Sequence, residues 1–307
     1  MELNCKGGNE MTDRLLCAHR GESGDGALLY ATFDGTSWTG DTAFSNGAES
    51  TSAPALANYR GEVFCVHRGR QGNDNLWWCT FDPASGTWSE DVALEGDNKS
   101  SDAVALAVFN DTLYCVHPGG GDDWMWWCTF DPVARKWSSD RPFSNGNKTD
   151  APPALAVHDG QLLCVHKGSD GNENLFWSTF TGSDWTGDQV FGDDNKSDRG
   201  SSLIEIDGTL YCVHRGAKFN RNLFWCSFTG SDWTGDSVFP ADNQSADSPA
   251  TALFNNTAYC VHRGKPGGDD HLYYATLSGT TWSSDQIFGG GNLSFDGPAL
   301  AVVSYPR

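Results

Sequence analysis

The sequence predicts an all-β fold, a six-bladed β-propeller with four antiparallel strands per blade, closed by the C-terminal strand joining the N-terminal blade. Three observations carry that prediction. First, His19, His67, His117, His166, His214 and His262 recur at intervals of 48, 50, 49, 48 and 48 residues. Trp38, Trp88, Trp137, Trp185, Trp233 and Trp282 follow at 50, 49, 48, 48 and 49. Second, each repeat holds several short apolar runs separated by turn residues, and a period of this length with strands in it reads as propeller blades. Third, the two chain ends are out of phase by one strand.

The unit spanning Ala151–Phe191 shows the elements in order. Pro153-Ala154-Leu155-Ala156-Val157 is a first short strand, and His158-Asp159-Gly160 supplies its turn. Gln161–His166 is a second, followed by a Gly/Asp/Asn loop from Lys167 to Asn174. Leu175–Phe180 is a third, Thr181-Gly182-Ser183 a turn, and Trp185–Phe191 a weaker fourth. Short alternating runs joined by turn chemistry form an antiparallel meander. The stretch Asp97–His117 lacks Gly and Pro and so admits a helix. Its Asn110-Asp111 turn, however, aligns with Asp159-Gly160 and Asp207-Gly208, so strands are expected there as in the sibling units.

Leu15–His19 begins at the second strand of a unit, and Pro298–Val303 is a first strand with nothing after it. The C-terminus is therefore expected to provide the innermost strand of the N-terminal blade. A ring closed in this way needs no capping repeat. The six units fill residues 1–307 as a single domain.

Composition narrows function. Forty acidic against 20 basic residues give a formal charge of −20, which disfavours nucleic acid as a partner and adhesion to anionic membranes. Thirteen Trp, 8 Tyr and 17 Phe argue for a packed core rather than an acidic disordered chain. No apolar run reaches the ~20 residues of a membrane span, so no membrane insertion is expected. The start Met1-Glu2-Leu3-Asn4-Cys5-Lys6 lacks an apolar signal region, so the expected location is cytoplasmic, or outside the cell by release without a secretory signal.

Six of the ten cysteines (Cys17, Cys65, Cys115, Cys164, Cys212, Cys260) lie two residues before the repeated His. Cys79, Cys128 and Cys226 share a third-strand position that is Ala31, Ser178 and Ala275 in other units. Hairpin disulfides would leave three units with an unpaired partner, so reduced core thiols are expected. No CxxC or HxxxH spacing accompanies them, and neither a metal nor a cofactor is expected.

In a four-stranded meander the second-to-third-strand loop and the blade-to-blade connection emerge on one side. Both are long and polar here, so that face is the expected functional one. Three residue sets on it are candidates for ligand contact. The first is the His–basic pair ending each second strand: His19 and Arg20, His67 and Arg68, His166 and Lys167, His214 and Arg215, His262 and Arg263, with Pro118 replacing the base in the third unit. The second is the aromatic Tyr30, Trp78, Trp127, Trp177, Trp225 and Tyr274, placed diagonal to the base on the same sheet face. The third is Asn98, Asn147, Asn195, Asn243 and Asn292, each opening an Asn-Xaa-Ser/Thr triplet that reads as a loop-satisfying residue, a ligand contact or a glycosylation acceptor. Trp38 and its five counterparts are read as blade packing.

At these residues the chain resembles the Trp-rich β-propeller lectins of bacteria and mushrooms. The run Pro54-Ala55-Leu56-Ala57, then Arg68-Gly69, Leu76-Trp77-Trp78 and Gly86-Thr87-Trp88 matches the order of such repeats. The resemblance implies a multivalent, non-catalytic carbohydrate-binding lectin whose partners are glycans or glycoconjugates on cell surfaces. Sugar chemistry agrees, since C–H faces stack on aromatic rings and hydroxyls pair with Asn, Asp and Arg. A non-catalytic protein-binding scaffold is the alternative, and a sialidase-like glycosidase a lesser one. The sialidase-type Ser-x-Asp-x-Gly-x-x-Trp box is not met at Asp34-Gly35-Thr36-Ser37-Trp38.

Overall fold

The computed structural model describes residues 11–22, 24, 26–192, 195–240, 242–265 and 267–306. It is a six-bladed β-propeller whose blades are antiparallel sheets, with the short Gly289–Gly291 turn the one helical element among the described residues. Blade 2 runs from the axis outward through Ala55–Tyr59, Glu62–Arg68 and Leu76–Asp82 to two short outer pieces, Thr87–Trp88 and Val92–Ala93. Blade 5 orders Ser201–Ile206, Thr209–Arg215, Leu223–Ser227 and Ser237–Val238 in the same way. As expected, the stretch without Gly and Pro holds strands: Ala105–Phe109 and Thr112–Pro118 pair in blade 3.

Blade 1 is closed by the two chain ends. Ala299–Pro306 pairs with Met11–Arg20, setting Leu15 opposite Val302 and Cys17 opposite Leu300. Among the described residues the N-terminal strand reaches back to Met11, four residues before the expected Leu15. Arg14 lies over the Tyr305 ring at 5.0 Å, and Ser304 bonds Asp13 at 2.6 Å, so the pairing continues past the apolar stretch.

The outer strand differs from the single run expected. Between its two pieces the backbone turns, so that the repeated Trp enters the gap toward the preceding blade and the Asp three residues later swings back to the second strand. Trp38 lies flat against Phe288, Trp185 against Phe143, Trp233 against Phe191 and Trp282 against Phe239. Blade 2 offers Leu94 in place of Phe beneath Trp137 of blade 3. Each of the six hydrophobic clusters bridges two neighbouring blades. The core is therefore a set of six interfaces. One sheet face of each blade packs on the preceding blade and the other on the following blade.

All nine described cysteines are buried and unbridged, as expected; Cys5 lies outside the described residues.

Candidate functional site

The long loop and the blade-to-blade connection do share a side. They are joined by bridges such as Asn75 with Lys99, Trp124 with Lys148 and Asn222 with Gln244. The register of blade 2 sets Arg68 opposite Leu76 and His67 opposite Trp77. Arg68 and Trp78 therefore share the face toward blade 3, while His67 and Trp77 share the face toward blade 1.

The structure gives the three candidate sets different surroundings. Trp78, Trp127 and Trp177 are buried between blades, and Tyr30, Trp225 and Tyr274 are half-buried in the same role. The basic residues turn to protein partners. Arg20 pairs with Asp296 at 2.9 Å and Arg215 with Asp198 at 3.0 Å. Arg68 pairs with Asp74, Lys167 with Asp150 and Arg263 with Asp270. Arg215 is wholly buried and also donates to the Ala246 carbonyl at 2.6 Å. Pro118 interrupts this series.

The asparagines are buried and reach across to the next blade. Asn98 Nδ2 donates to the Ser138 carbonyl at 3.0 Å, Asn147 to Thr186 at 3.1 Å and Asn195 to Thr234 at 2.9 Å. Asn243 donates to Ser283 at 3.2 Å and Asn292 to Thr39 at 3.0 Å, the latter across the closed ring. Blade 1 has Ala48 at this position, and Asn46 makes the bond to Ser89 at 2.7 Å instead. Satisfying a backbone carbonyl between blades is the loop-satisfying role, and with Nδ2 buried and bonded the fold leaves no room for a glycan on these asparagines.

The repeated His carries a partner that the sequence reading missed. His19 meets Asp41 at 2.8 Å, His67 meets Asp91 at 3.1 Å, and His117 meets Asp140 at 3.1 Å. His166 meets Asp188 at 2.8 Å, His214 meets Asp236 at 2.9 Å, and His262 meets Asp285 at 2.9 Å. Each contact uses Nε2, while Nδ1 faces the carbonyl of the following residue, at 2.9 Å in His67. Both neighbours are acceptors, so a neutral ring satisfies one of them and an imidazolium both. Burial opposes the charged form of His214, but the Asp236 carboxylate outweighs it and raises the pKa above its ordinary value. The sequence signal was present: Trp-x-x-Asp recurs in all six units, from Trp38 and Asp41 to Trp282 and Asp285.

Several clefts open on this face; one of about 530 Å³ is lined by Arg20, Glu49, Ser50, Thr51, Arg70 and Gln71, and two others, between consecutive blades, hold a tryptophan. Gly47, Glu49, Gly69, Arg70, Asn73, Trp77 and Asp91 line the first of these two, a cavity of about 360 Å³. Asp97, Lys99, Gly119, Asp122, Trp126 and Asp140 line most of the second, of about 570 Å³. The sequence dictates their floor. A Cβ on Gly69 would lie 2.8 Å from the Asn73 carbonyl oxygen and 3.0 Å from Trp77 Nε1, so the loop and indole close down only over glycine. Asn73 Oδ1 in turn accepts the Asn75 N–H at 3.1 Å, which shapes the loop. The Trp77 ring is partly exposed, but its Nε1 is buried and, like that of the six repeated tryptophans, has no hydrogen-bond partner among the described residues. Trp126 Nε1 donates weakly to Asp122 at 3.4 Å.

The other four positions differ. Phe176, Phe224 and Tyr273 lie parallel to His166, His214 and His262, and Tyr273 donates to Asp269 at 3.1 Å. Leu29 supplies no ring in blade 1.

No family model matches the sequence, and no curated protein matches it by sequence. Solved structures share its fold. One is the Aleuria aurantia lectin in complex with Fucα1-6GlcNAc, at 13% identity and a TM-score of 0.63, covering 94% of this chain and 100% of that one. AofleA from Arthrobotrys oligospora is 10% identical with a TM-score of 0.61, over 97% of this chain and 91% of that one. An α-L-arabinofuranosidase from Clostridium thermocellum is 13% identical with a TM-score of 0.53, over 77% and 94%. At these identities the likeness is one of fold.

Proposed function

We propose that this propeller is a multivalent carbohydrate-binding protein. Its glycan sites are the clefts between consecutive blades on the long-loop face, best formed at Trp77 and Trp126. The observation that carries the reading is the Trp77 cleft, where a partly exposed indole ring, Arg70, Asn73 and Glu49 meet at an opening sized for a monosaccharide. A sugar ring presents C–H groups to such an indole and hydroxyls to the surrounding polar groups. The previously singled-out His, Arg, Lys and Asn residues act behind this surface, holding loop and connection in place.

Binding without turnover suits the carboxylates. In the second cleft Asp97 pairs with Lys99 at 2.6 Å and Asp140 with His117 at 3.1 Å. Asp122 is then the unpaired acid, whereas glycoside hydrolysis generally employs two. Fucosylated glycans are the first class to try, because a lectin of this fold is solved with fucose-containing ligands. Repetition makes a weak single site useful, since several sites on one glycosylated surface act together. A glycan array followed by titration of wild type, Trp77→Ala and Trp126→Ala tests the reading; array silence, or binding untouched in both variants, contradicts it.

A further inference from the structure

We propose that blade 5 holds a zinc-type divalent cation on Cys212, Cys226, His214 and Asp236. Spacing within one strand shows no metal motif; this set assembles across three strands. Cys212 and His214 alternate onto one face of Thr209–Arg215, and Cys226 stands directly opposite Cys212 on Leu223–Ser227. Asp236 closes the set from just before the outer strand. The ligand atoms of His214, Cys226 and Asp236 lie within 4.8 Å of one another, and among the described residues no other such group occurs. Cys212 lies outside that group of three but hydrogen-bonds Cys226 beside it. Tetrahedral zinc holds its donors about 3–4 Å apart, close to the spacing of these three, and Cys212 joins as the fourth by turning its thiol toward them.

The surroundings favour a cation. His214 Nδ1 donates to the Arg215 carbonyl at 3.2 Å, the outer contact that metal-bound imidazoles usually make. Nε2 is thereby directed at the Asp236 carboxylate, and only a proton or a metal ion reconciles these two acceptors. From blade 4, Asn195 contacts Cys226 and the Lys196 backbone contacts His214. Asp236 is partly exposed and gives the ion a route in. Metal entry displaces the two thiol protons and the Nε2 proton, and four donors then surround the ion.

Blades 2 and 3 carry the same residue types (Cys65, Cys79, His67 and Asp91; Cys115, Cys128, His117 and Asp140) without the close grouping. The other blades replace the third-strand Cys by Ala31, Ser178 and Ala275. Cys226→Ser and Cys226→Ala therefore copy residues the propeller already accommodates there.

The test is titration of the reduced full-length chain with Cd²⁺, following the ultraviolet thiolate-to-cadmium band and the melting temperature, with Zn²⁺ as competitor. The expected result is one tight equivalent, a raised Tm, and displacement by Zn²⁺. Both Cys226 variants should bind at least about tenfold more weakly, while Cys79→Ala binds as wild type does. If both Cys226 variants fail to fold, Asp236→Asn should show the weakening. A missing band overturns the proposal, as does a band unchanged in the folded Cys226 or Asp236 variants, or one lost equally in Cys79→Ala.

Discussion

Trp88 lies flat on Phe44 of the preceding blade, ring centroids 3.8 Å apart and planes 8° from parallel. This pair joins the outer ends of blades 1 and 2 much as Asn46 and Ser89 join their backbones beside it. Removing the indole leaves a cavity at an interface that the rest of the ring holds open. Trp88→Ala should therefore lower stability by about 3–5 kcal/mol in denaturant unfolding, and Trp88→Phe by clearly less.

Ring closure depends on eight residues, Ala299–Pro306, which also contact the first strands of blades 2 and 6. Deleting residues 297–307 takes the innermost strand from blade 1 and exposes both of its interfaces. The truncated chain should lose its cooperative melting transition, and a melting temperature equal to wild type would refute closure.

Arg215 is completely buried against Asp198, whereas Arg68 pairs with the more exposed Asp74. Deleting one partner of a buried pair strands the other charge. Arg215→Ala should cost about 3–5 kcal/mol. Arg68→Ala should cost no more than about 1 kcal/mol, as surface pairs do. Parallel chemical denaturation of the two variants measures the difference.

Asp102 stands at the mouth of the central channel near Asp247, Asp296 and Arg199. Burial, with added repulsion from Asp247 and Asp296, pushes its pKa up from 3.8 to about 6. The folded state thus holds this proton more tightly than the unfolded one. Its contribution declines as pH rises from about 4 to about 6, and the cost of the charge is complete above that window. Asp102→Asn keeps the oxygen that accepts the Ala103 N–H at 2.7 Å. It should stabilise the protein by on the order of 1–3 kcal/mol at pH 7 and hardly at all at pH 4, read from melting at the two pH values.

The repeat made the architecture legible: recurring His and Trp fixed the blade count, and the out-of-phase ends fixed the closure. The site was less legible because both faces of a propeller blade are covered by neighbours. Strand alternation correctly grouped Arg68 with Trp78, but it carries no information on which face lies beside an open cleft. That depends on how far each connection stands from the next loop. Likewise Asn98 and its counterparts look alike as loop or ligand residues, until the carbonyl of the next blade is in place. The Asp of Trp-x-x-Asp was visible in the sequence, but its tie to His spans 22 to 24 residues and two strands.

The most direct test of the account is calorimetric titration with an array-selected glycan, beginning with a fucoside, alongside a crystal soaked in the same sugar. The account predicts sugar on the Trp77 and Trp126 indoles, with at least one binding event lost in Trp77→Ala and another in Trp126→Ala. Each loss should weaken its site by about 1–2 kcal/mol or more, roughly tenfold in Kd. Sugar bound away from both clefts, with both variants titrating as wild type does, would contradict it.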